Sequence, residues 1–205
     1  MAAKSENISF DPDLLRNKYR EERDKRLRAD GNDQYKEVEG DFKYFVEDPY
    51  VEKIEKSPEN LITEVVIIGG GFGGILAASR LRMSRVDDFK IIEKGGNFGG
   101  TWYWNRYPGA SCDIESYIYF PLLEETGFIP KHKYTNAPET LEYIGKISEK
   151  FNLSENAIFQ TEVTEVVWLE NEGLCKISTY KGVDIRAKEV DHYNVPIKRP
   201  KLPAI

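Results

Sequence analysis

A chain of 205 residues, 40% of them hydrophobic, is long enough for one sizeable core, or for one domain with an extension. Its 29 basic and 35 acidic residues give a net charge of −6 and no basic field, which argues against nucleic acid as a partner. The only cysteines, Cys112 and Cys175, form no disulfide framework, His132 and His192 lie far apart without metal-ligand spacing, and no apolar run approaches membrane length. A cytoplasmic protein without a metal, a membrane segment or a signal region is expected.

Taken in order, Asp11-Pro12 predicts a helix start, with the aspartate as N-cap and the proline at the first helical position. The helix is expected over 13–28, stopped by Gly31, with Leu15, Tyr19 and Leu27 as a thin apolar stripe. Its mixed charges suit a solvated helix with one docking edge better than a membrane-surface helix. Residues 34–60 are polar and irregular. Phe42, Tyr44, Phe45 and Tyr50 are expected to pin them to a domain surface, and Ser57-Pro58-Glu59-Asn60 to turn into the first strand. The boundary is accordingly set at residues 60/61.

Residues 61–93 carry the main signal. Val65-Val66-Ile67-Ile68 reads as a buried parallel strand. Gly69, Gly71 and Gly74 then fit G-x-G-x-x-G at the mouth of a helix over 73–84. The first glycine allows the tight turn, the second lets a pyrophosphate approach, and the third brings helix and strand together. The helix N-terminus offers free N–H groups to phosphate. A second strand, Phe89-Lys90-Ile91-Ile92, ends at Glu93, where a carboxylate can accept from an adenosine ribose. It would repel a 2′-phosphate, so this site is expected to prefer FAD or NAD to NADP. A glycine-rich loop, 94–100, leads into Gly99-Gly100-Thr101-Trp102-Tyr103-Trp104-Asn105-Arg106-Tyr107-Pro108-Gly109-Ala110-Ser111-Cys112-Asp113. Three aromatic residues in four positions suit either a wall for a flavin ring or core packing.

Asn136-Ala137-Pro138-Glu139 starts another helix, whose Leu141, Ile144, Ile147 and Phe151 share a face. Strands over 159–169, 174–180 and 183–190 form an antiparallel meander, and Pro196, Pro200 and Pro203 stiffen an extended tail. The fold class is α/β: a Rossmann-like dinucleotide-binding domain with a parallel sheet and an antiparallel β-meander, preceded by an N-terminal helical extension.

Residues 99–113 match at every specified position the fingerprint [AG]-G-x-W-x4-[FY]-P-[GM]-x3-D, and the chain from about Tyr19 to Pro203 resembles the Baeyer–Villiger monooxygenases, the class B flavoprotein monooxygenases. The resemblance implies NADPH- and O2-dependent oxidation of a small-molecule ketone to an ester or lactone on FAD, in secondary metabolism or in ketone catabolism. FAD would lie on Gly69, Gly71, Phe72, Gly73, Gly74 and Glu93. Gly100, Thr101, Trp102, Tyr103 and Trp104 would line the flavin, with Asp113, Ile114 and Tyr119 beyond, and Val163 would meet the adenine. Ser111, Cys112 and Asp113 would sit where the nicotinamide arrives. Asp113 is the catalytic candidate, as the holder of an arginine that steadies developing negative charge; its plainer reading is a helix cap or turn acid.

The departures from the family are also informative. The second glycine motif, for NADPH, and the arginine are missing, and position 111 is serine where the family usually has arginine. The domain over 61–205 is therefore expected to be incomplete, with no NADP domain. Asp191 and His192 replace apolar strand residues and Val195 replaces a glycine, so unsatisfied polar groups and an incompletely closed flavin domain are expected. The competing reading is an FAD-binding module without its own turnover, or one completed by another subunit. A small reductase or a hydrolase is disfavoured, because neither a Tyr-x-x-x-Lys pair nor a nucleophile elbow occurs.

Overall fold

The computed structural model describes residues 11–36, 38, 40, 41, 44, 47–55, 59–180, 182–193 and 202–203. In chain order its elements are α1 (Pro12–Asp24), β1 (Tyr35–Lys36), β2 (Glu59–Ile68), α2 (Phe72–Met83), β3 (Phe89–Ile92), α3 (Thr101–Trp104), α4 (Ser116–Tyr119), α5 (Leu123–Thr126), α6 (Ala137–Lys150), β4 (Ala157–Ile158), β5 (Val163–Leu169), β6 (Leu174–Thr179), β7 (Val183–His192) and β8 (Leu202–Pro203). They fall into two compact units, Met1–Lys43 with Pro200–Ile205, and Tyr44–Arg199.

In the first unit, Asp11 caps α1 as its sequence dictates: Oδ1 accepts from the Asp13 and Leu14 amides at 2.8 and 3.3 Å. The helix stops at Asp24, four residues short of the expected end, and Leu15, Tyr19 and Leu27 are exposed. With none of its residues buried, α1 has no packed stripe to carry it further. β1 pairs antiparallel with β8, so Pro203 lies in a strand; Pro196 and Pro200 of the expected stiff tail, and Phe42 and Phe45, lie outside the described residues.

The second unit is built on a six-stranded sheet of order β4-β3-β2-β7-β6-β5. β4, β3, β2 and β7 run parallel, and β7, β6 and β5 form the antiparallel meander. Alternation along β2 sorts the core: Ile67 joins Ile75, Ala78, Phe89, Ile91, Tyr143, Ile144 and Ile147 on the face packed by α2 and α6. Val66 and Ile68 join Ile177, Val183, Ile185 and Ala187 on the other face. α6 is N-capped by Asn136, whose Oδ1 accepts from the Glu139 amide at 3.0 Å, and it buries Tyr143, Ile144 and Ile147.

Two expectations need correction. The strand expected over 159–169 starts later, at Val163. The short β4 before it pairs with β3, the chain turns over 159–162 with Gln160 at φ +51°, and β5 then pairs with β6. Asp191 and His192 do lie in β7, opposite Ile67 and Ile68 of β2, but both are exposed. β6 covers β7 only from Asp184 to Ala187, so the far half of β7 keeps its outer edge open among the described residues, and no burial cost arises. Val195 lies outside the described residues. β5 closes the sheet on the other side, with Val166, Val167 and Trp168 exposed.

Candidate functional site

β3 lies on one side of β2 and β7 on the other, so the sheet order reverses at the C-terminal end of β2, the topological switch point where open α/β sheets take ligands. Four strand ends, of β2, β3, β4 and β7, meet there and are tied together. The Gly69 amide donates to Ile92 O at 2.9 Å, the Tyr193 amide to Ile68 O at 3.0 Å, and the Glu93 amide to Ile158 O at 3.0 Å.

The glycines do different work. Gly69 has φ +107°, and a Cβ there would meet Tyr193 O at 2.7 Å. A Cβ on Gly74 would lie 1.8 Å from Gly69 O, which leaves no room for any side chain between α2 and the end of β2. Gly71 is neither strained nor crowded; its nearest neighbour would be the Gly100 Cα at 3.5 Å. It is the N-cap of α2 and has no side chain to cap the helix, so the amides of the first turn receive no side-chain cap there. This open, uncapped helix start fits a diphosphate. Phe72 packs its ring edge-on to Tyr119 at 5.3 Å, and the Tyr193 ring covers Gly73, within 2.7 Å of where a Cβ would stand.

Glu93 is buried and faces this turn. Its Oε2 accepts from the Gly70 amide at 2.6 Å and its Oε1 from the Gly95 amide at 2.7 Å. The carboxylate thus joins the two glycine loops at the end of β3 through charge-assisted bonds. The loops also touch directly: the Gly99 amide donates to Gly70 O at 2.9 Å, and a Cβ on Gly100 (φ +52°) would lie 2.8 Å from the Gly71 Cα.

Of the aromatic cluster, Trp102 and Tyr103 are buried, and Trp104 is half-buried with Thr101. Trp102 belongs to the core and donates through Nε1 to the Tyr119 hydroxyl at 2.9 Å. Burial above all holds the Tyr119 phenol above its ordinary value. The Tyr103 hydroxyl donates to Asp48 Oδ2 at 2.6 Å; burial first, and then that bond and charge, keep it protonated beyond the usual phenol range. Arg106 stacks on Tyr50 and Tyr103, 3.7 and 4.6 Å from their ring centres, and its Nε donates to Tyr103 O at 2.8 Å.

Farther along, Cys112 is buried, its amide donating to Thr135 O at 2.9 Å, while Ser111, Asp113 and Ile114 are exposed. Ser111 is bridged to Asn136. Asp113 is not a helix cap, since α4 takes Glu115 in that place. Val163 opens β5, opposite Thr179. Sequence reasoning missed Asp48, Gln160 and Tyr193 as parts of this neighbourhood. The only local trace of the first is an acid before a proline turn, Asp48-Pro49-Tyr50. Among the described residues no group of three or more His, Cys, Asp or Glu could hold a metal ion, and no helix is long and apolar enough to cross a membrane.

Comparison with known proteins agrees with this geometry. A family described as an NAD(P)-binding Rossmann-like domain matches residues 67–127. A Baeyer-Villiger monooxygenase of Stachybotrys chlorohalonatus is 43% identical over 98% of this chain, which covers 32% of it. An FAD-binding monooxygenase of Hypomyces subiculosus is 44% identical over 96% of this chain, which covers 33% of it. The solved structure of a polycyclic ketone monooxygenase from Thermothelomyces thermophila superposes with a TM-score of 0.81 at 34% identity, over 94% of this chain and 34% of that one. The chain spans about a third of the length of the curated relatives it matches, and over almost all of its own length it is similar to Baeyer–Villiger monooxygenases.

Proposed function

We propose that this chain is the FAD-holding portion of a Baeyer–Villiger monooxygenase that uses NADPH and O2 to oxidise a small ketone to an ester or lactone. The observation that carries the reading is the joining of the uncapped α2 N-terminus to the fingerprint loop through the buried carboxylate of Glu93. Diphosphate would lie against the first turn of α2, at Gly71, Phe72 and Gly73, and the ribose against Glu93. FAD, when bound, supplies the redox chemistry, and NADPH is its reductant. The chain's own part is to bind and orient. Glu93 fixes the sugar, the α2 dipole balances the phosphate charge, and α3 closes the wall behind Gly100. Asp113, exposed and without an ion pair among the described residues, is placed to receive a cation from beyond this unit. The two free cysteines, one of them buried, suit a cytoplasmic setting.

The second reading is a flavin-binding module without its own turnover, completed by another subunit. In both readings the Tyr193 ring, which lies against Gly73 beside the phosphate place, would turn aside for the ligand. One experiment separates the two. The purified chain is saturated with FAD, its visible absorbance is recorded, and NADPH is added without oxygen. A yellow protein bleached by NADPH supports the enzyme. One that stays yellow supports the module. A chain that takes up no flavin overturns both.

A further inference from the structure

Residues 47–55, which precede the first strand of the sheet, are bound to the glycine loop that follows β3. Asp48 Oδ2 accepts from the Gly96 amide at 2.7 Å and from the Tyr103 hydroxyl at 2.6 Å. The same Gly96 amide also reaches the Tyr103 hydroxyl at 3.2 Å, so carboxylate, amide and phenol close a ring of three. The Val51 methyls press on Gly96 from outside, within 2.2 Å of where a Cβ would be. From inside, the Tyr103 ring lies under Gly95 and its Cβ under Gly99. Farther along, the Ile54 amide donates to Gln160 Oε1 at 2.8 Å and Gln160 Nε2 donates to Glu52 O at 2.7 Å, fastening the segment to the turn after β4. The Tyr50 hydroxyl donates to Trp104 O at 3.3 Å.

The loop is held at Phe98, which is buried in the core, and at Lys94, which is paired with Glu162. Its glycines have no side chains to fix them, and glycine backbone is the costliest to order, so the position of the stretch at Gly95 and Gly96 depends on these outside partners. That position matters, because the Gly99 amide holds Gly70 O and the Gly95 amide holds Glu93 Oε1. A loop released at Gly96 loosens the carboxylate meant for the ribose and the turn meant for the diphosphate.

We propose that Asp48 is a positioning residue of the dinucleotide site: through Gly96 and Tyr103 it sets the glycine loop before ligand arrives, so that residues 47–55 are part of the cofactor cradle. This rests on the FAD reading above. It makes Asp48 a contributor to affinity without contact to the ligand, because a preordered loop costs less on binding.

The test is FAD titration by flavin fluorescence on the full chain, with thermal melting of each apo protein alongside. Asp48→Ala should weaken FAD binding about tenfold or more, the loss expected for a charge-assisted pair. Asp48→Asn keeps one acceptor and should recover part of that loss. Tyr103→Phe should weaken binding less than Asp48→Ala, and the double variant should fall short of the product of the two single effects. A general structural role would lower the melting point while leaving affinity well below that temperature unchanged, and that result overturns the proposal. Should Asp48→Ala fail to fold, Asp48→Asn and Tyr103→Phe decide the matter: wild-type affinity in both overturns it. If the wild-type chain itself takes up no flavin, the FAD reading fails, and the proposal fails with it for that separate reason.

Discussion

At the scale of single residues, the three glycines of the motif are separable by experiment. A methyl at Gly74 would stand 1.8 Å from a backbone oxygen that cannot move without breaking the turn. Gly74→Ala should therefore cost about 3 kcal/mol or more, read as a large drop in the urea midpoint. Gly71→Ala meets only ordinary contact at 3.5 Å and should cost about 1 kcal/mol, the usual penalty of alanine at an N-cap. Its effect should appear instead in flavin affinity, weakened roughly tenfold by a methyl in the path of the diphosphate. Those outcomes would assign fold and ligand to different glycines, although the sequence motif treats them alike. Tyr103 supplies a prediction in pH. Its phenol is held above the ordinary value of 10.0 in the fold, by burial first and by Asp48 next. The folded state therefore favours the neutral form. Its contribution is complete below about pH 10 and is lost as pH climbs toward the raised value, where the unfolded chain ionises first. Urea midpoints of the wild type should fall over that alkaline window, and Tyr103→Phe should flatten the fall.

At the scale of elements, what could be read in advance was whatever local rules write down. α6 announced itself by Asn136-Ala137-Pro138-Glu139 and a periodic face, and it formed with that cap, burying Ile144 and Ile147 of that face and half-burying Leu141 and, at the C-cap, Phe151. The β2–α2–β3 unit was legible for the same reason, since apolar runs and glycines occur there in the order a dinucleotide fold requires. The break between β4 and β5 was not, because 159–169 alternates roughly enough to pass for one strand. Only tertiary packing reveals it, with the Phe159 ring edge-on to Phe98 at 4.8 Å and Gln160 turned to positive φ. The bond from Asp48 to Gly96 left no periodic trace either, since it joins two irregular segments far apart in the chain. Asp191 and His192 misled for a related reason: strand membership was legible, but which strand edges stay open was not. Gln160 gives the element-scale prediction. Gln160→Ala removes two bonds to residues 52–54 and should cost about 1–2 kcal/mol. Limited proteolysis should cut near residue 53 faster than in wild type, with β2 and α2 still protected.

At the scale of the whole molecule, two strands of the sheet differ in what they show to water among the described residues. β7 past Ala187 shows Lys188, Glu189, Asp191 and His192, whereas β5, at one edge of the sheet, shows Val166, Val167 and Trp168. Charges along a strand discourage another strand from docking, and β-branched and aromatic side chains invite one. On β5 the deterrents are Glu165 and Glu170, the second of which accepts from Trp168 Nε1 at 2.6 Å. Colloidal behaviour should therefore be governed by this flank. At high concentration the chain should cloud from β5 outward. Val167→Lys should delay the onset of light scattering without shifting the melting point, since that side chain is exposed and its loss empties no core.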